Sequence, residues 1–276
     1  MNDKELLKTE KKNQRLNKRN EKQERKRLEK INHDIIHEER EERLAPIRKR
    51  NRELNEAPKR SILEEIGNSV THGVGAIFSI IALILMIQKS DTPYKLASAI
   101  IYGVCMIFMM TMSSLYHAFP YGSTVKRLWR RFDYTSIYLL IGGTFAPLLL
   151  IEWKQIYNYD NFFSNYLGLI IFIVQWALII TGITLVCVFG PGRIKWVNFP
   201  LYFAIGWSGL MFVPGWLWLE NPNYPLFFMI LGGGIIYTLG MIPFAMNKVK
   251  AAHFIWHFFV LFGAIVQFLG IYLFVF

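Results

Sequence analysis

His253 and His257 stand four residues apart at the start of the last apolar stretch of the chain. On a helix that spacing stacks two imidazoles on one face, where both can bind a single metal ion. Ser113 and His117 repeat the spacing at the end of an earlier apolar stretch. An imidazole from His117 would complete a three-histidine set with a fourth position open for water, the composition of a catalytic zinc site. Asp133 would then hydrogen-bond that water or orient a ligand, and Ser113 would do the same more weakly. The same residues also admit plainer roles. A lone H-x-x-x-H suits imidazoles that only pack between helices, and Asp133 follows Arg130 and Arg131, where an interfacial ion pair would account for it. Glu65, Asn68 and His72 share a helical face at offsets of three and seven, able to line the same pocket or simply to begin a helix with acids in its first turn. Since three other imidazoles suffice for a metal, His72 is read as a packing or outer-layer residue.

The elements that must position these groups follow from how charge is distributed. The chain has 276 residues, 53% of them hydrophobic, and residues 1–60 hold 20 of the 31 basic and 13 of the 20 acidic side chains. The 216 positions from Ser61 onward carry only 11 basic and 7 acidic residues, too few to coat a water-soluble globule of that size. The basic excess splits between the tail and the apolar part, which argues against nucleic acid as a partner. Crossing a bilayer takes about 20 mostly apolar residues, and runs of that length recur seven times, near 67–88, 96–119, 132–151, 165–189, 196–217, 225–246 and 252–276. Aromatic residues such as Trp129, Trp153, Trp196 and Trp218 crowd the run ends, as expected at headgroup depth. The fold class expected is therefore all-α integral membrane, a seven-transmembrane helix bundle.

Basic residues in short loops set the orientation. Lys126, Arg127, Arg130 and Arg131 in loop 120–131, Arg193 and Lys195 in loop 190–195, and Lys248 and Lys250 in loop 247–251 fall on the same side as the charged tail. The alternate loops hold only Lys89, Lys95 and Lys154. This predicts a cytoplasmic N-terminus and an extracytoplasmic C-terminus, opposite to G-protein-coupled receptors. His72, His117, Asp133, His253 and His257 then lie at similar depth near the cytoplasmic leaflet, and intramembrane ionisable groups are functional candidates by default. Residues 1–60 are read as a charged, partly helical or disordered cytoplasmic tail, solvated or able to bind anionic lipid, and residues 61–276 as the membrane domain. The first 60 residues lack the apolar core of a secretory leader, so the first span is expected to serve as its own insertion signal. Cys105 and Cys187 lie in apolar runs and imply no disulfide framework.

Four motifs together carry a resemblance: Glu65-x-x-Asn68-x-x-x-His72, Ser113-Ser114-Leu115-Tyr116-His117, Arg131-Phe132-Asp133-Tyr134 and His253-x-x-x-His257. From about Ile62 to Phe276 the chain resembles the bacterial hemolysin III family, a branch of the progestin and adiponectin Q receptor superfamily that is also related to alkaline ceramidases. The resemblance implies a seven-helix bundle with a zinc ion held by His117, His253 and His257. Asp133 and Ser113 match the family's zinc-water and outer-layer positions. The long charged tail is unusual, since bacterial members commonly start close to the first span. Two functions follow as expectations. One is a zinc-dependent hydrolase of the plasma (inner) membrane acting on lipid amides or esters, ceramidase-like, with Asp133 as general base. The alternative is a non-enzymatic protein with structural zinc, either a cytolytic pore former or a regulator of membrane lipid state. A transporter is weaker, because no inverted repeat or matched pair of broken helices is visible.

Overall fold

Side-chain caps set where several spans begin. Ser61 Oγ accepts from the Glu64 backbone N–H at 3.2 Å, Thr92 Oγ1 from that of Lys95 at 3.2 Å, and Ser123 Oγ from that of Lys126 at 3.0 Å. Asn223 Oδ1 does the same for Leu226 at 3.3 Å. Each satisfies a donor that a helix start leaves unpaired. A computed structural model describes residues 3–157, 162–218, 222–246 and 249–276, and among the described residues there are helices and no strand.

Among the described residues, seven helices are long and apolar enough to cross a membrane. They are α2 (Ile62–Gln88), α3 (Pro93–Ala118), α4 (Thr124–Ile156), α5 (Phe162–Phe189, apolar from Asn165), α6 (Lys195–Trp218), α7 (Tyr224–Ala245) and α8 (Ala252–Phe274). Within α4 a π-helical turn covers Leu148–Glu152 directly after Pro147, where the missing proline N–H breaks the regular ladder. A 3₁₀ stretch at Ser208–Phe212 interrupts α6.

The helices are inverted in polarity relative to those of a soluble protein. On α2 the buried face is Asn68, Thr71, His72, Gly75 and Ser79, while Ile66, Val70, Ile77, Ile81 and Ile84 are exposed. With lipid outside, apolar side chains lose nothing by facing outward, and polar or small residues turn inward to pair and to let backbones approach. Close approach is explicit where α3 meets α4: a Cβ on Gly143 would lie 2.6 Å from Cys105 Cβ and 3.4 Å from the Tyr102 Cα. α4 is the central helix, with 72% of its most apolar window buried against 22% for α5, α6 and α7. The main core joins Tyr102, Met106, Phe145, Trp216, Val260 and Phe268, and a smaller one joins Tyr138, Ile179, Val186, Tyr202 and Ile205.

The start of the third span differs from the sequence reading. The third span starts at Thr124 and not near residue 132, so Lys126, Arg127, Arg130 and Arg131 lie on the first two turns of α4 and not in a loop. The Ser123 cap and inward partners explain this: Lys126 Nζ donates to the Phe119 carbonyl at 2.9 Å, and Arg130 Nη1 to the Glu56 carbonyl at 3.0 Å. Asp133 consequently sits about 13 Å inside a helix rather than at its start. Lys248, used above for orientation, and residues 219–221 between the fifth and sixth spans lie outside the described residues.

The chain divides into two compact units, Met1–Leu54 and Asn55–Phe276. In the first, a single helix α1 runs over Asp3–Leu54, with Pro46 inside it; a partly helical or disordered segment was the expectation. Lys, Arg, Glu and Gln are all good helix formers and supply pairs such as Arg25 with Glu29 at 3.4 Å and Arg48 with Glu41 at 2.7 Å. Leu28, Ile31 and Ile35 are exposed on it.

Candidate metal centre

His117 lies on the last turn of α3, and His253 and His257 on the first two turns of α8. Antiparallel α2 and α3, and the start of α8, bring one end of each helix together, so residues far apart in sequence converge there. The three imidazoles are buried, and one ring nitrogen from each lies within 4.8 Å of the others. His117 Nε2 is 3.2 Å from His257 Nε2. The His253 and His257 ring centroids are 5.0 Å apart, and those of His117 and His253 are 5.2 Å apart.

The second nitrogen of His117 fixes its tautomer. His117 Nδ1 is 2.6 Å from Glu65 Oε2; a carboxylate can only accept, so Nδ1 donates and the Nε2 lone pair faces His257. Asn68 Nδ2 also lies 3.3 Å from that Nδ1, but both nitrogens are donors once Nδ1–H is given to Glu65, so the two do not hydrogen-bond. Glu65 is itself held from the other side, because its Oε1 pairs with Lys126 Nζ at 3.0 Å. Lys126 is fully buried and also lies over the Tyr116 ring at 4.9 Å. Lys126, Glu65 and His117 thus form a chain running from α4 through α2 to α3. This carboxylate-to-imidazole arrangement is the one that orients metal-ligating histidines.

The donor set fits a metal ion. Both ring nitrogens of His253 and Nδ1 of His257 are buried without a hydrogen-bond partner, a state that costs free energy unless something else satisfies them. Two nitrogens bound at about 2.0–2.1 Å in a tetrahedron stand roughly 3.3 Å apart, close to the 3.2 Å between His117 and His257. This buried three-histidine group could therefore hold a metal ion.

The remaining sequence candidates fall around it. His72 stacks on His257 with ring centroids 3.8 Å apart and is not one of the three clustered donors. Ser113, buried one turn before His117 on α3, lies close enough to Asp133 on α4 for the two side chains to interact. Glu65 and Asn68 touch His117 directly, as above.

Among the described residues, the burial of four charged groups, Lys126, Arg130, Arg60 and Glu152, escaped the sequence reading. Lys126 was counted only as a topology signal, although Lys126, Arg130 and Asp133 at offsets of four and seven share a helical face. Arg60 precedes the first span and has a side chain only 8% exposed. Glu152 lies just past the expected end of the third span, 2% exposed, and accepts from Trp216 Nε1 at 3.0 Å and Asn223 Nδ2 at 3.2 Å. It is near the opposite end of α4 from Asp133 and takes no part in the centre.

Comparison with known proteins agrees with this geometry. The profile of a family described as haemolysin-III related matches residues 60–268. Hemolysin-3 of Bacillus cereus is 36% identical over 210 residues, covering 75% of this chain and 90% of that protein. The hemolysin-3 homolog of Bacillus subtilis (strain 168) is 32% identical over 212 residues, covering 75% and 92%. The human monocyte to macrophage differentiation factor is a more distant relative, 24% identical over 220 residues, covering 78% and 85%. Seven membrane-spanning helices, a buried histidine cluster where α3 meets α8 and a match over most of the chain lead to one conclusion: the protein is a multi-pass membrane protein of the haemolysin-III-related family.

Proposed function

We propose that the protein is a membrane-embedded, zinc-dependent hydrolase of lipid amides or esters, with its metal centre near the cytoplasmic leaflet and its N-terminus in the cytoplasm. The observation that carries this reading is the trio of buried imidazoles, His117, His253 and His257, with Asp133 near Ser113, one helical turn from His117. A zinc ion there would polarise the scissile carbonyl and lower the pKa of a water to about 7. Asp133 takes the proton of the attacking water and delivers it to the leaving amine or alcohol, and Ser113 holds the carboxyl in place for both transfers. Glu65 keeps His117 in the tautomer that presents Nε2. His72, stacked on His257, fixes the plane of that ring.

An apolar cavity supports an acyl chain as part of the substrate. It has a volume of about 160 Å³ and lies between α4, α6, α7 and α8, with Phe145, Trp207, Tyr237, Phe244 and Trp256 in its wall. Phe244 packs 5.8 Å from the His253 ring and 5.0 Å from Trp256, so the cavity wall reaches the metal centre. Apolar pockets with a few convergent polar groups are the usual form of small-molecule sites. The basic residues at the end of the bundle that holds the centre support its cytoplasmic placement.

The decisive experiment is metal content by elemental analysis of detergent-purified protein, followed by a screen of lipid amides and esters. About one zinc per chain, lost in a His117/His253/His257 triple alanine variant and accompanied by metal-dependent turnover, is the expected result. Well-folded protein that takes up no zinc would overturn the reading.

The names of the two Bacillus relatives favour a second reading, membrane damage with a structural metal. Liposome leakage by purified protein that persists in His257→Ala would support it. Seven apolar spans weigh against a secreted toxin, since such a chain resides in a bilayer.

A further inference from the structure

Outside the metal centre, at the same end of the bundle, a pocket of about 630 Å³ lies between the start of α2 and the turn joining α7 to α8. Lys59, Arg60 and Lys250 line it together with Glu64 and the metal-centre residue His253. Three basic residues therefore line it beside one carboxylate, and it shares His253 with the centre. Arg60 is the informative residue. Its side chain is 8% exposed, its Nη1 is buried with no hydrogen-bond partner, and its Nε stands 3.8 Å from Glu64 Oε1, beyond hydrogen-bond range. A buried guanidinium with idle N–H groups is costly, and its planar fork matches the oxygens of a phosphate or carboxylate. The N-terminus of the 27-residue α2, capped at Ser61, adds the positive end of a helix dipole to the same wall.

The rim of the pocket is apolar. Leu63 is 82% exposed, and Met246 and Val249 are exposed beside it. A buried guanidinium flanked by two exposed lysines and an exposed apolar lip suits an amphiphile lying at the membrane surface better than a small ion arriving from water.

We propose that this mouth is an anion-binding site that seats the phosphate or carboxylate headgroup of a lipid, so that the preferred ligand of the metal centre is an anionic lipid. The proposal rests on the reading of the centre as a lipid site and deepens it by naming the headgroup. Arg60 grips two oxygens of the headgroup from inside, and Lys59 and Lys250 attract it from the water side.

Binding separates this proposal from the hydrolase reading, because it needs no turnover. Zinc-loaded full-length protein in dodecyl maltoside is titrated with dodecyl phosphate, dodecylphosphocholine and inorganic phosphate, with affinity followed by thermophoresis. Dodecyl phosphate is expected to bind at least tenfold tighter than dodecylphosphocholine, and Arg60→Gln and Lys250→Gln should each weaken it by about tenfold. Zinc content, measured on the same samples, reports whether each variant keeps its centre; exposed Lys250 carries the test if Arg60→Gln does not fold. Inorganic phosphate that displaces dodecyl phosphate over the same concentration range would support the anion site and reassign its ligand to a soluble anion. Equal binding of the two amphiphiles, or wild-type affinity in Lys250→Gln and in a folded Arg60→Gln, would overturn the proposal. A protein that discriminates headgroups but hydrolyses no lipid would keep the anion site and lose the hydrolase.

Discussion

Asp133 and Glu65 are both carboxylates at the end of the bundle that holds the histidine cluster, yet their neighbours suit them to different work. Asp133 lies near the hydroxyl of Ser113 and, in the proposed reaction, is the group that exchanges a proton with substrate. Glu65 lies between an ammonium, Lys126 at 3.0 Å, and an imidazole N–H, His117 at 2.6 Å, and is committed to holding them. Asp133→Asn is accordingly expected to abolish hydrolysis, by roughly 10²–10⁴-fold or more, while retaining the zinc of the wild type; retained turnover in a folded variant would remove Asp133 from the chemistry. Glu65→Gln should instead weaken zinc by about 10–100-fold, the usual cost of losing an outer partner of a metal-ligating histidine, as read by chelator competition. An unchanged affinity would reduce Glu65 to a packing role.

At the scale of the helices, the site depends on close spacing that only small residues permit. Gly143 on α4 faces Cys105 on α3, and a Cβ there would meet Cys105 Cβ at 2.6 Å. The same two helices carry Asp133 on one side, and Ser113 and His117 on the other. Gly143→Ala should therefore lower thermal stability in detergent by about 1–3 kcal/mol, as overpacking does, and Cys105→Gly in that background should restore part of the loss. No destabilisation in Gly143→Ala would mean that α3 and α4 are not in close contact at this position. The early start of α4 belongs to this scale as well. Two extra turns capped by Ser123 aim Lys126 at Glu65 and Arg130 at the Glu56 carbonyl, so basic residues that mark topology in the sequence also brace the centre.

For the whole molecule, the histidine cluster joins the second span, which ends in His117, to the seventh, which begins with His253 and His257. A ligand that binds only the folded form stabilises it by mass action. Free zinc at about one hundred times its dissociation constant would add roughly 2.7 kcal/mol, so stripping with a chelator should lower the melting temperature of the wild type. The His117/His253/His257 triple alanine variant should melt at the same temperature with or without chelator. A wild type equally indifferent to chelation would argue against metal at this centre.

How much the sequence settles differs between fold and site. Seven apolar runs of bilayer length determined the number of spans and the fold class, because every backbone polar group in a hydrocarbon layer has to be paired within a helix. The i, i+4 pair His253 and His257, with His117 at matching depth, was enough to nominate the cluster, because helical periodicity and span direction are both local properties. What the sequence left open was where the charged residues beside the spans point. A capped helix start can turn Lys126 inward, and the sequence alone reads such a residue as a loop cation. The helical state of Asp3–Leu54 was likewise undetermined, since good helix formers without an apolar stripe suit a solvated tail equally well. Only the tertiary structure decided that Glu65 reaches His117 across 52 positions of sequence, that Ser113 lies near Asp133, and that Arg60 is buried with an idle N–H beside a pocket that His253 also lines. Those contacts depend on helix rotation and crossing, which arise from packing among several spans at once and leave no mark on any single one.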